Sequence, residues 1–457
     1  MKKLFYILTF FLPVIVCAQQ NWVKFSPLDY AWMNVGNAGF SAGSAGYTSL
    51  AFSPSGEPYV AYSDGGNTRK ATVMKFDGTN WVNVGNAGFS PGVAIFISLT
   101  FSPSGQPYVG FQDNWNGSHL TVMKFDGTDW GYVGNPNFAQ GVNGYTSLAF
   151  NPLSGQVYVA YMEWLTWKTS VKKFDGTNWV YVGNPSFSAG DADNISLAFS
   201  PSGQPYVAYE DFGNSIRTSV QKYDGNNWVY VGNPGFSPGI SNYQSLAFSP
   251  SDEPYVAFEC MERANVMKYD GTNWIFVGAE GFSAGIAQNL SLAFSPFGQP
   301  TVAYQDYGNS LKATVMQYDG INWINIGNPG FSIDTVYYTS LAFSTSGVPY
   351  VAYMDKGNAQ KATVMKYDSV FVGILETQES RLFLYPNPTS KTLTIDLKSF
   401  LGNLICIEIN DIKGTRMLET QTCEKKKVVD VENYPSGVYF VNVKSLNSNY
   451  IGKFCKN

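Results

Sequence analysis

The segment SLAFSPSGEPYVAY at Ser49–Tyr62 recurs along the chain and determines its architecture. Its opening tetrapeptide, SLAF or SLTF, begins at Ser49, Ser98, Ser147, Ser196, Ser245, Ser291 and Ser340. The spacing is therefore 49 residues, apart from one interval of 46. Tryptophans in the pattern WxxVG or WxxIG keep the same spacing, at Trp32, Trp81, Trp130, Trp179, Trp228, Trp274 and Trp323. A fixed period of this length indicates an array of similar structural units.

One period contains four strand signals. SLAF leads into a Ser-Pro-Ser-Gly turn, and the other three signals are Pro58–Tyr62, Ala71–Phe76 and Trp81–Gly85. The hexapeptide FDGTNW at Phe76–Trp81 supplies a hairpin turn, because Asp caps its own turn and Gly tolerates a positive φ. Four antiparallel strands in each of seven periods predict an all-β fold, a seven-bladed β-propeller of about 49-residue repeats.

The number of strand copies predicts how the array ends. An additional fourth-strand segment, WMNVG at Trp32–Gly36, precedes the first full repeat, and the seventh repeat ends in SVFVG at Ser369–Gly373 without its tryptophan. We therefore expect the N-terminal strand to complete the sheet of the last repeat, which hides the edges of the sheets.

The repeats resemble two propeller families without matching either in full. FSPSG after an apolar strand resembles WD40 repeats, whereas the period and the tryptophan resemble kelch repeats. The chain lacks the WD dipeptide at this place, and the Gly-Gly doublet of kelch repeats is absent from its expected position.

The first residues, MKKLFYILTFFLPVIVCAQQ, read as a secretory signal peptide over residues 1–18, cut after Ala18. An alternative makes Cys17 a lipoprotein anchor, although Val16 fits that signal poorly. Four cysteines follow, Cys260, Cys406, Cys423 and Cys455, with no CxxC pair, so no structural zinc site is expected and a disulfide among the last three stays open.

The repeat ends at residue 373, and a polar linker over residues 374–380 precedes alternating strands that predict a small Ig-like β-sandwich over residues 381–457. LYPNPTS at Leu384–Ser390, DIKG at Asp411–Gly414, SGVYFVNV at Ser436–Val443 and the closing KF at Lys453 resemble the type A C-terminal sorting domain of the type IX secretion system of Bacteroidota. The motif residues are Pro386, Asn387, Pro388, Gly437, Tyr439 and Lys453. This resemblance implies contact with the type IX machinery, export across the outer membrane, removal of the tail, and attachment or release at the surface.

Charge limits the partners of the repeats, assigned to residues 19–373. Residues 19–380 contain 16 Lys and Arg against 27 Asp and Glu, and such an acidic surface argues against nucleic acid.

The loops predict which end of the propeller binds a ligand. The SPSG and DGTN loops share one end and hardly vary, whereas the loops after PYVAY and before SLAF share the other end and vary. A variable face on a constant scaffold is typical of recognition. Most loops after PYVAY contain Asp-x-Gly-Asn, which favours Asx turns over calcium binding.

The ligand-binding candidates lie in these variable loops. They are Trp115, His119, Glu163, Trp164, Trp167, Asp193 and Tyr338. The tryptophans offer a stacking platform for sugars or, alternatively, caps for the core. Tyr47, Phe96, Tyr145, Tyr243 and Tyr338 share one repeated position before the inner strand, where regularity favours packing, and Asp191, Asp193 and Asn194 form a polar set nearby.

Catalytic groups are sparse. His119 is the only histidine, so the sequence offers few ligands for a histidine metal site and few candidates for a Ser-His-Asp triad. We therefore expect no cofactor, no metal and no catalytic residue. Glu163 with Asp193 or Asp211 is a carboxylate pair of the kind that flanks a glycosidic bond in glycosidases, but nothing in the spacing singles these residues out. The sequence thus predicts a secreted or surface propeller that binds a neutral glycan or a surface protein. A structural or adhesive coat and a polysaccharide-degrading glycosidase or lyase remain as alternatives.

Overall fold

The computed structural model describes residues 28–114, 117–139, 144–371, 382–397, 405–445 and 448–457. The predicted signal peptide and the predicted linker lie outside these residues. The chain divides into two compact units after Phe371, and each is described by itself. Among the described residues, no helix has both the length and the apolar character needed to cross a membrane.

The first unit consists of β-strands and four single turns of 3₁₀ helix. The strands, numbered in chain order, are β1 (Leu28–Asn34), β2 (Ala45–Phe52), β3 (Pro58–Asp64), β4 (Lys70–Phe76), β5 (Trp81–Asn83), β6 (Ala94–Phe101), β7 (Pro107–Asp113), β8 (His119–Phe125), β9 (Trp130–Tyr132), β10 (Ser147–Phe150), β11 (Val157–Met162), β12 (Thr169–Phe174), β13 (Trp179–Tyr181), β14 (Ala192–Phe199), β15 (Pro205–Asp211), β16 (Arg217–Tyr223), β17 (Trp228–Tyr230), β18 (Ser241–Phe248), β19 (Pro254–Cys260), β20 (Arg263–Tyr269), β21 (Trp274–Phe276), β22 (Ala287–Phe294), β23 (Pro300–Asp306), β24 (Lys312–Tyr318), β25 (Trp323–Asn325), β26 (Val336–Phe343), β27 (Pro349–Asp355) and β28 (Lys361–Phe371). The 3₁₀ turns are Gly65–Asn67, Phe212–Asn214, Tyr307–Asn309 and Lys356–Asn358.

The described strands of this unit form seven four-stranded antiparallel sheets, as propeller blades do. Six sheets are meanders of four consecutive strands, beginning with β2–β5. The seventh has the order β1-β28-β27-β26, with Trp32 opposite Tyr367. The prediction that the N-terminal strand completes the last repeat is confirmed.

Hydrogen bonds of one kind connect each inner strand to the preceding one. The backbone N–H of the leucine in SLAF or SLTF donates to the serine Oγ of the preceding sheet, at 2.9–3.1 Å. The pairs are Leu99 to Ser49, Leu148 to Ser98, Leu197 to Ser147, Leu246 to Ser196, Leu292 to Ser245, Leu341 to Ser291 and Leu50 to Ser340. The last pair connects the first sheet to the seventh.

The repeated tryptophans join the outer strands in the same way. Each Trp Nε1 donates at 2.7 Å to a backbone carbonyl of the preceding sheet, as Trp81 does to Val35. The ring also stacks on a phenylalanine of the preceding loop, with centroids 4.4 Å apart for Trp81 and Phe40. Apolar cores fill the spaces between neighbouring sheets, and one of them combines Leu50 with Val364, from the first and last repeats. The tryptophans therefore serve packing, and their repetition follows from the repetition of the interface.

The second unit has two antiparallel sheets around one core. Its strands are β29 (Phe383–Tyr385), β30 (Thr392–Asp396), β31 (Ile405–Asp411), β32 (Arg416–Thr422), β33 (Lys426–Asp430), β34 (Gly437–Ser445) and β35 (Ser448–Lys456). The sheet orders are β29-β30-β33 and β32-β31-β34-β35. Leu393 and Ile395 of the first sheet and Ile407 and Val441 of the second are fully buried in the shared core. Cys260, Cys406, Cys423 and Cys455 are all free thiols.

Candidate functional site on the variable-loop face

The two sets of variable loops meet at one end of the sheets. Gly65 N–H, in the loop after β3, donates to Ser44 O in the loop before β2 at 2.8 Å, and Ala94 N–H donates to Arg69 O at 2.9 Å. This arrangement agrees with the predicted division of the loops between the two ends. We call this end the variable-loop face.

The Asp-x-Gly-Asn loops on this face are closed by internal hydrogen bonds. Asp64 Oδ1 accepts from Gly66 N–H at 2.9 Å, and Asp64 Oδ2 accepts from Asn67 Nδ2 and Thr72 Oγ1 at 2.7 and 3.0 Å. The same three bonds recur around Asp306 and Asp355. The predicted Asx turns are confirmed in these three loops, and their carboxylates are engaged within the protein.

Aromatic rings line the start of the inner strands from the seventh sheet to the third. Tyr338, Tyr47, Phe96 and Tyr145 follow one another with centroid separations of 4.8, 5.0 and 4.9 Å. All four side chains are partly exposed. We call this set the aromatic arc. The prediction that regularity at this position indicates packing is incomplete, because the rings contact one another and still face solvent.

A β-bulge creates this arrangement. The register of the inner strand shifts between Gly46 and Ser49, and the same shift recurs in five other sheets. The residue at the bulge has a positive φ, 54° at Tyr47, 53° at Phe96 and 54° at Tyr338. Bulky residues rarely adopt this conformation, which costs about 1–3 kcal/mol and is concentrated at functional sites.

The fourth to sixth sheets carry more polar residues at the starts of their inner strands, with Tyr243 at the repeated position of the fifth sheet. Asn194 and Asn289 replace the aromatic residue in the fourth and sixth sheets, also with positive φ. Asp193 lies directly opposite Glu210 in the β14–β15 pair, and Asn194 Nδ2 donates to Glu210 Oε2 at 2.8 Å. In the next sheet Asn242 Nδ2 donates to Glu259 Oε2 at 3.1 Å. We call Asp193, Asn194, Glu210, Asn242 and Glu259 the polar arc.

Two carboxylates of the polar arc bind protons more tightly than usual. Burial raises the pKa of Glu210 to about 7, against the opposing hydrogen bond from Asn194 and with smaller contributions from Asp193 and Glu259. Burial also raises the pKa of Asp193. Like charges placed directly opposite each other across strands are unfavourable, so the proximity of Asp193 adds to the effect of burial on the pKa of Glu210.

Tyr145 connects the two arcs. Burial raises the pKa of its hydroxyl, and the charges of Asp193 and Glu210 raise it further. The arcs together present flat apolar rings beside carboxylate and amide groups, a combination suited to sugars, whose C–H faces stack and whose hydroxyls form hydrogen bonds.

The exposed tryptophans form a separate feature on the third sheet. Trp164 and Trp167 are 48% and 43% exposed, with ring centroids 5.9 Å apart, and Leu165 between them is 89% exposed. They do not cap the core. Trp115, the third member of the predicted platform, lies outside the described residues.

The neighbours described for His119 and Glu163 are residues outside the two arcs. His119 is opposite Asp113 in the β7–β8 pair, and its buried Nδ1 has no hydrogen-bond partner among the described residues. Glu163 Oε1 accepts from Tyr161 and Tyr181 hydroxyls at 2.8 and 2.9 Å.

The register places Glu210 directly opposite Asp193, a carboxylate pair that the sequence did not single out. The pairing of Glu163 with Asp193 or Asp211 stays a prediction. In the sequence, the two members of this pair stand at one position of β14 and one position of β15. Matching these positions requires the strand register, which the bulge shifts.

In the second unit, the sorting-motif residues come together from three distant segments. Asn387, between Pro386 and Pro388, donates from Nδ2 to Lys453 O and accepts at Oδ1 from Cys455 N–H, both at 2.9 Å. Tyr439, two residues after Gly437, donates its hydroxyl to Pro435 O at 2.7 Å and stacks on Phe454.

Two solved structures are similar to part of this chain. A polysaccharide lyase of family PL25, an ulvan lyase bound to -[GlcA(1-4)Rha3S]-, is 10% identical with a TM-score of 0.50, over 73% of this chain and 96% of the lyase. A protein of unknown function from Dyadobacter fermentans is 14% identical with a TM-score of 0.46, over 74% of this chain and 99% of its own. At 10% identity the similarity to the lyase concerns the fold alone. No curated protein sequence is significantly similar to this chain.

Residues 383–457 match the family described as the secretion system C-terminal sorting domain. The residues that carried the resemblance in the sequence lie within this match. The C-terminal unit is therefore a type IX sorting domain, which directs the protein to the cell surface or the medium.

Proposed function

We propose that the seven sheets close into a seven-bladed propeller that acts outside the cell as a non-catalytic binding module for a neutral glycan. The Leu50–Ser340 bond supports closure, because it repeats between the last and first sheets the bond that joins every other neighbouring pair. We further propose that the two-sheet C-terminal unit has an Ig-like topology and contacts the type IX machinery.

The aromatic arc beside the polar arc carries the proposal of glycan binding. Four partly exposed rings stand in a continuous series next to Asn194, Asp193 and Glu210. Rings of this kind stack on the apolar faces of pyranoses, whereas carboxylates and amides accept and donate hydrogen bonds to their hydroxyls. Because the polar arc is acidic, we expect neutral sugars to bind better than sulfated or uronic acid polymers.

Binding of the full chain to a glycan array tests this function. We expect the double variant Phe96→Ala/Tyr145→Ala to lose at least about tenfold in affinity for the glycan that binds, through loss of about 1.4 kcal/mol or more of stacking free energy. The matched control is Phe297→Ala, a residue 78% exposed in a turn on the other end of the sheets.

The double variant Trp164→Ala/Trp167→Ala separates the aromatic arc from the exposed tryptophan pair. Loss of binding only in this variant places the ligand on the third-sheet loop and contradicts the arc. No binding by the wild-type chain contradicts glycan recognition and favours an adhesive or structural coat.

One observation favours a second candidate, a glycosidase or lyase. Asp193 and Glu210 are a carboxylate pair in which Glu210 has a pKa of about 7, suited to a general acid at neutral pH. If the protein degrades a polysaccharide, Glu210→Gln abolishes turnover while binding persists. Absence of turnover by the wild-type chain on every glycan it binds contradicts this candidate.

A further inference from the structure

One position in the third strand of each sheet carries a different residue in two neighbouring sheets. Five sheets have methionine there, at Met74, Met123, Met267, Met316 and Met365, whereas the third has Lys172 and the fourth has Gln221. In the first and sixth sheets a buried tyrosine hydroxyl donates to the sulfur at this position, from Tyr62 to Met74 Sδ at 3.0 Å and from Tyr304 to Met316 Sδ at 3.3 Å. The two departures therefore alter the polarity of a buried environment.

In the third sheet, an ammonium group neutralises this environment. Tyr161 and Tyr181 donate their hydroxyls to Glu163 Oε1. Lys172 Nζ donates to Phe138 O at 2.9 Å and lies 4.4 Å from the centroid of the Tyr181 ring. Burial lowers the pKa of the Lys172 ammonium, and the charge of Glu163 opposes this change. The negative charge of Glu163 is thus balanced within the sheet.

In the fourth sheet, Tyr209, Asp211 and Tyr230 occupy the positions of Tyr161, Glu163 and Tyr181, but the lysine is replaced by Gln221. Asp211 Oδ2 accepts from Asn214 Nδ2 at 2.8 Å and from the Tyr230 hydroxyl at 3.4 Å. Asp211 Oδ1 and Gln221 Oε1 are buried without a hydrogen-bond partner in the described part of the chain. The buried Tyr209 Oη makes no hydrogen bond of ordinary geometry there, but it interacts with the Asp211 carboxylate and the Tyr230 hydroxyl.

The register brings these three side chains to one face of the sheet. Gln221 lies opposite Val207, and Tyr209 and Asp211 follow Val207 at intervals of two residues. Side chains two residues apart on a strand point to the same face, and diagonal cross-strand neighbours are within reach of long side chains. Tyr209 and Asp211 are 0% exposed and Gln221 is 3% exposed.

A site of this composition suits a small hard cation. A carboxylate oxygen and an amide oxygen accept hydrogen bonds without donating any, so they cannot satisfy each other. Leaving them unpartnered in the interior is costly, and oxygen ligands of this kind coordinate alkali and alkaline-earth cations. By the 49-residue period, the carbonyl of Phe187 corresponds to the Phe138 carbonyl that accepts from Lys172 in the third sheet. The site has one formal negative charge, which a monovalent ion balances.

We propose that the fourth sheet binds a monovalent cation, Na⁺ or K⁺, between Asp211 Oδ1, Gln221 Oε1 and Tyr209 Oη, where the third sheet holds the Lys172 ammonium. The site lies outside the two arcs and does not depend on glycan binding. It was not predicted from the sequence, which led us to expect no metal.

Thermal unfolding of the full chain at constant ionic strength tests the site. We expect the midpoint to be about 2 °C or more higher in NaCl or KCl than in choline chloride, whose cation is too large for the site. We expect Gln221→Lys to remove the difference in midpoint between the salts, because the new ammonium group takes the place of the ion. Equal midpoints of the wild-type chain in the three salts overturn the proposal and indicate that a water molecule or the Gln221 amide group satisfies Asp211.

Two further variants keep the test independent of any one substitution. Gln221→Met restores the residue of five other sheets and also removes the difference between salts. Lys172→Gln, introduced into the Gln221→Lys chain, restores a difference because the third sheet then has the ligands of the fourth. A direct readout is anomalous scattering from crystals grown in RbCl, and the absence of a peak beside Asp211 contradicts the site.

Discussion

The outer strands of the seven sheets repeat the same contacts, whereas the starts of the inner strands differ from repeat to repeat. In the outer strands, the seven repeated tryptophans make the same 2.7 Å bond to the preceding sheet. In the turns of the Asp77 type, the aspartate Oδ1 accepts from the backbone N–H two residues later in all six copies. At the starts of the inner strands, the same bulge carries tyrosine, phenylalanine or asparagine. A contact that joins the sheets tolerates little change, whereas a residue that faces solvent is free to differ from one repeat to the next.

The largest expected effect on stability concerns a repeated outer contact. Trp228 donates from Nε1 to Val182 O and stacks on Phe187 with centroids 4.4 Å apart. Trp228→Ala leaves a cavity between sheets and an unpartnered carbonyl, so we expect a loss of about 3–5 kcal/mol in the free energy of unfolding, measured in urea. Trp164→Ala is the control, because this exposed residue contributes less than about 0.5 kcal/mol. Equal losses in the two variants contradict the division between packing and surface tryptophans.

A smaller effect on the free energy of unfolding is expected for the aspartates of two loops on the variable-loop face. Asp306 accepts three hydrogen bonds, from Gly308, Asn309 and Thr314, whereas Asp211 accepts from Asn214 and, at 3.4 Å, from Tyr230. We expect Asp306→Ala to cost about 3 kcal/mol and Asp211→Ala at least about 1 kcal/mol less, because fewer buried donors lose their acceptor. Measurement in choline chloride removes any contribution from a bound cation. A larger cost for Asp211→Ala under these conditions contradicts this account of the two loops.

The smallest expected effect is a pH dependence of the free energy of unfolding, which arises from Glu210 in the polar arc. The pKa of Glu210 in the folded chain, about 7, lies above its ordinary value of 4.5. The unfolded chain therefore releases this proton first as the pH rises, and the stability associated with protonated Glu210 is complete below pH 4.5 and lost as the pH passes 7. After allowance for solvent screening, we expect the wild-type chain to lose about 1 kcal/mol between pH 5 and pH 8 relative to Glu210→Gln.

The sixth sheet offers a matched control for this prediction. Gln305 occupies the position of Glu210 and is 1% exposed. Gln305→Glu places a second buried carboxyl group at this level of the repeat, so its stability should also fall relative to the wild-type chain between pH 5 and pH 8. Parallel pH profiles of Glu210→Gln and the wild-type chain contradict the raised pKa of Glu210.

The sequence by itself determined the features that depend on local chemistry and repetition. The period of Ser49, Ser98 and Ser147, the four strand signals and the Asp-Gly turns predicted sheets whose strands the structure confirms within a few residues. The surplus strand at Trp32 predicted the composition of the seventh sheet, and LYPNPTS and SGVYFVNV identified the sorting domain. These signals suffice because turns, strand alternation and ordered motifs are properties of neighbouring residues.

Only the tertiary structure decided which polar groups meet. A one-residue bulge shifts the register between Asp193 and Ser196, and this shift, invisible in the alternation of residues, sets Asp193 opposite Glu210. The burial of Asp211 Oδ1 and Gln221 Oε1 without a hydrogen-bond partner among the described residues likewise depends on the pairing and packing of β15 and β16. Burial and cross-strand partners set the free energy of a charge, and neither is a property of its neighbours in the chain.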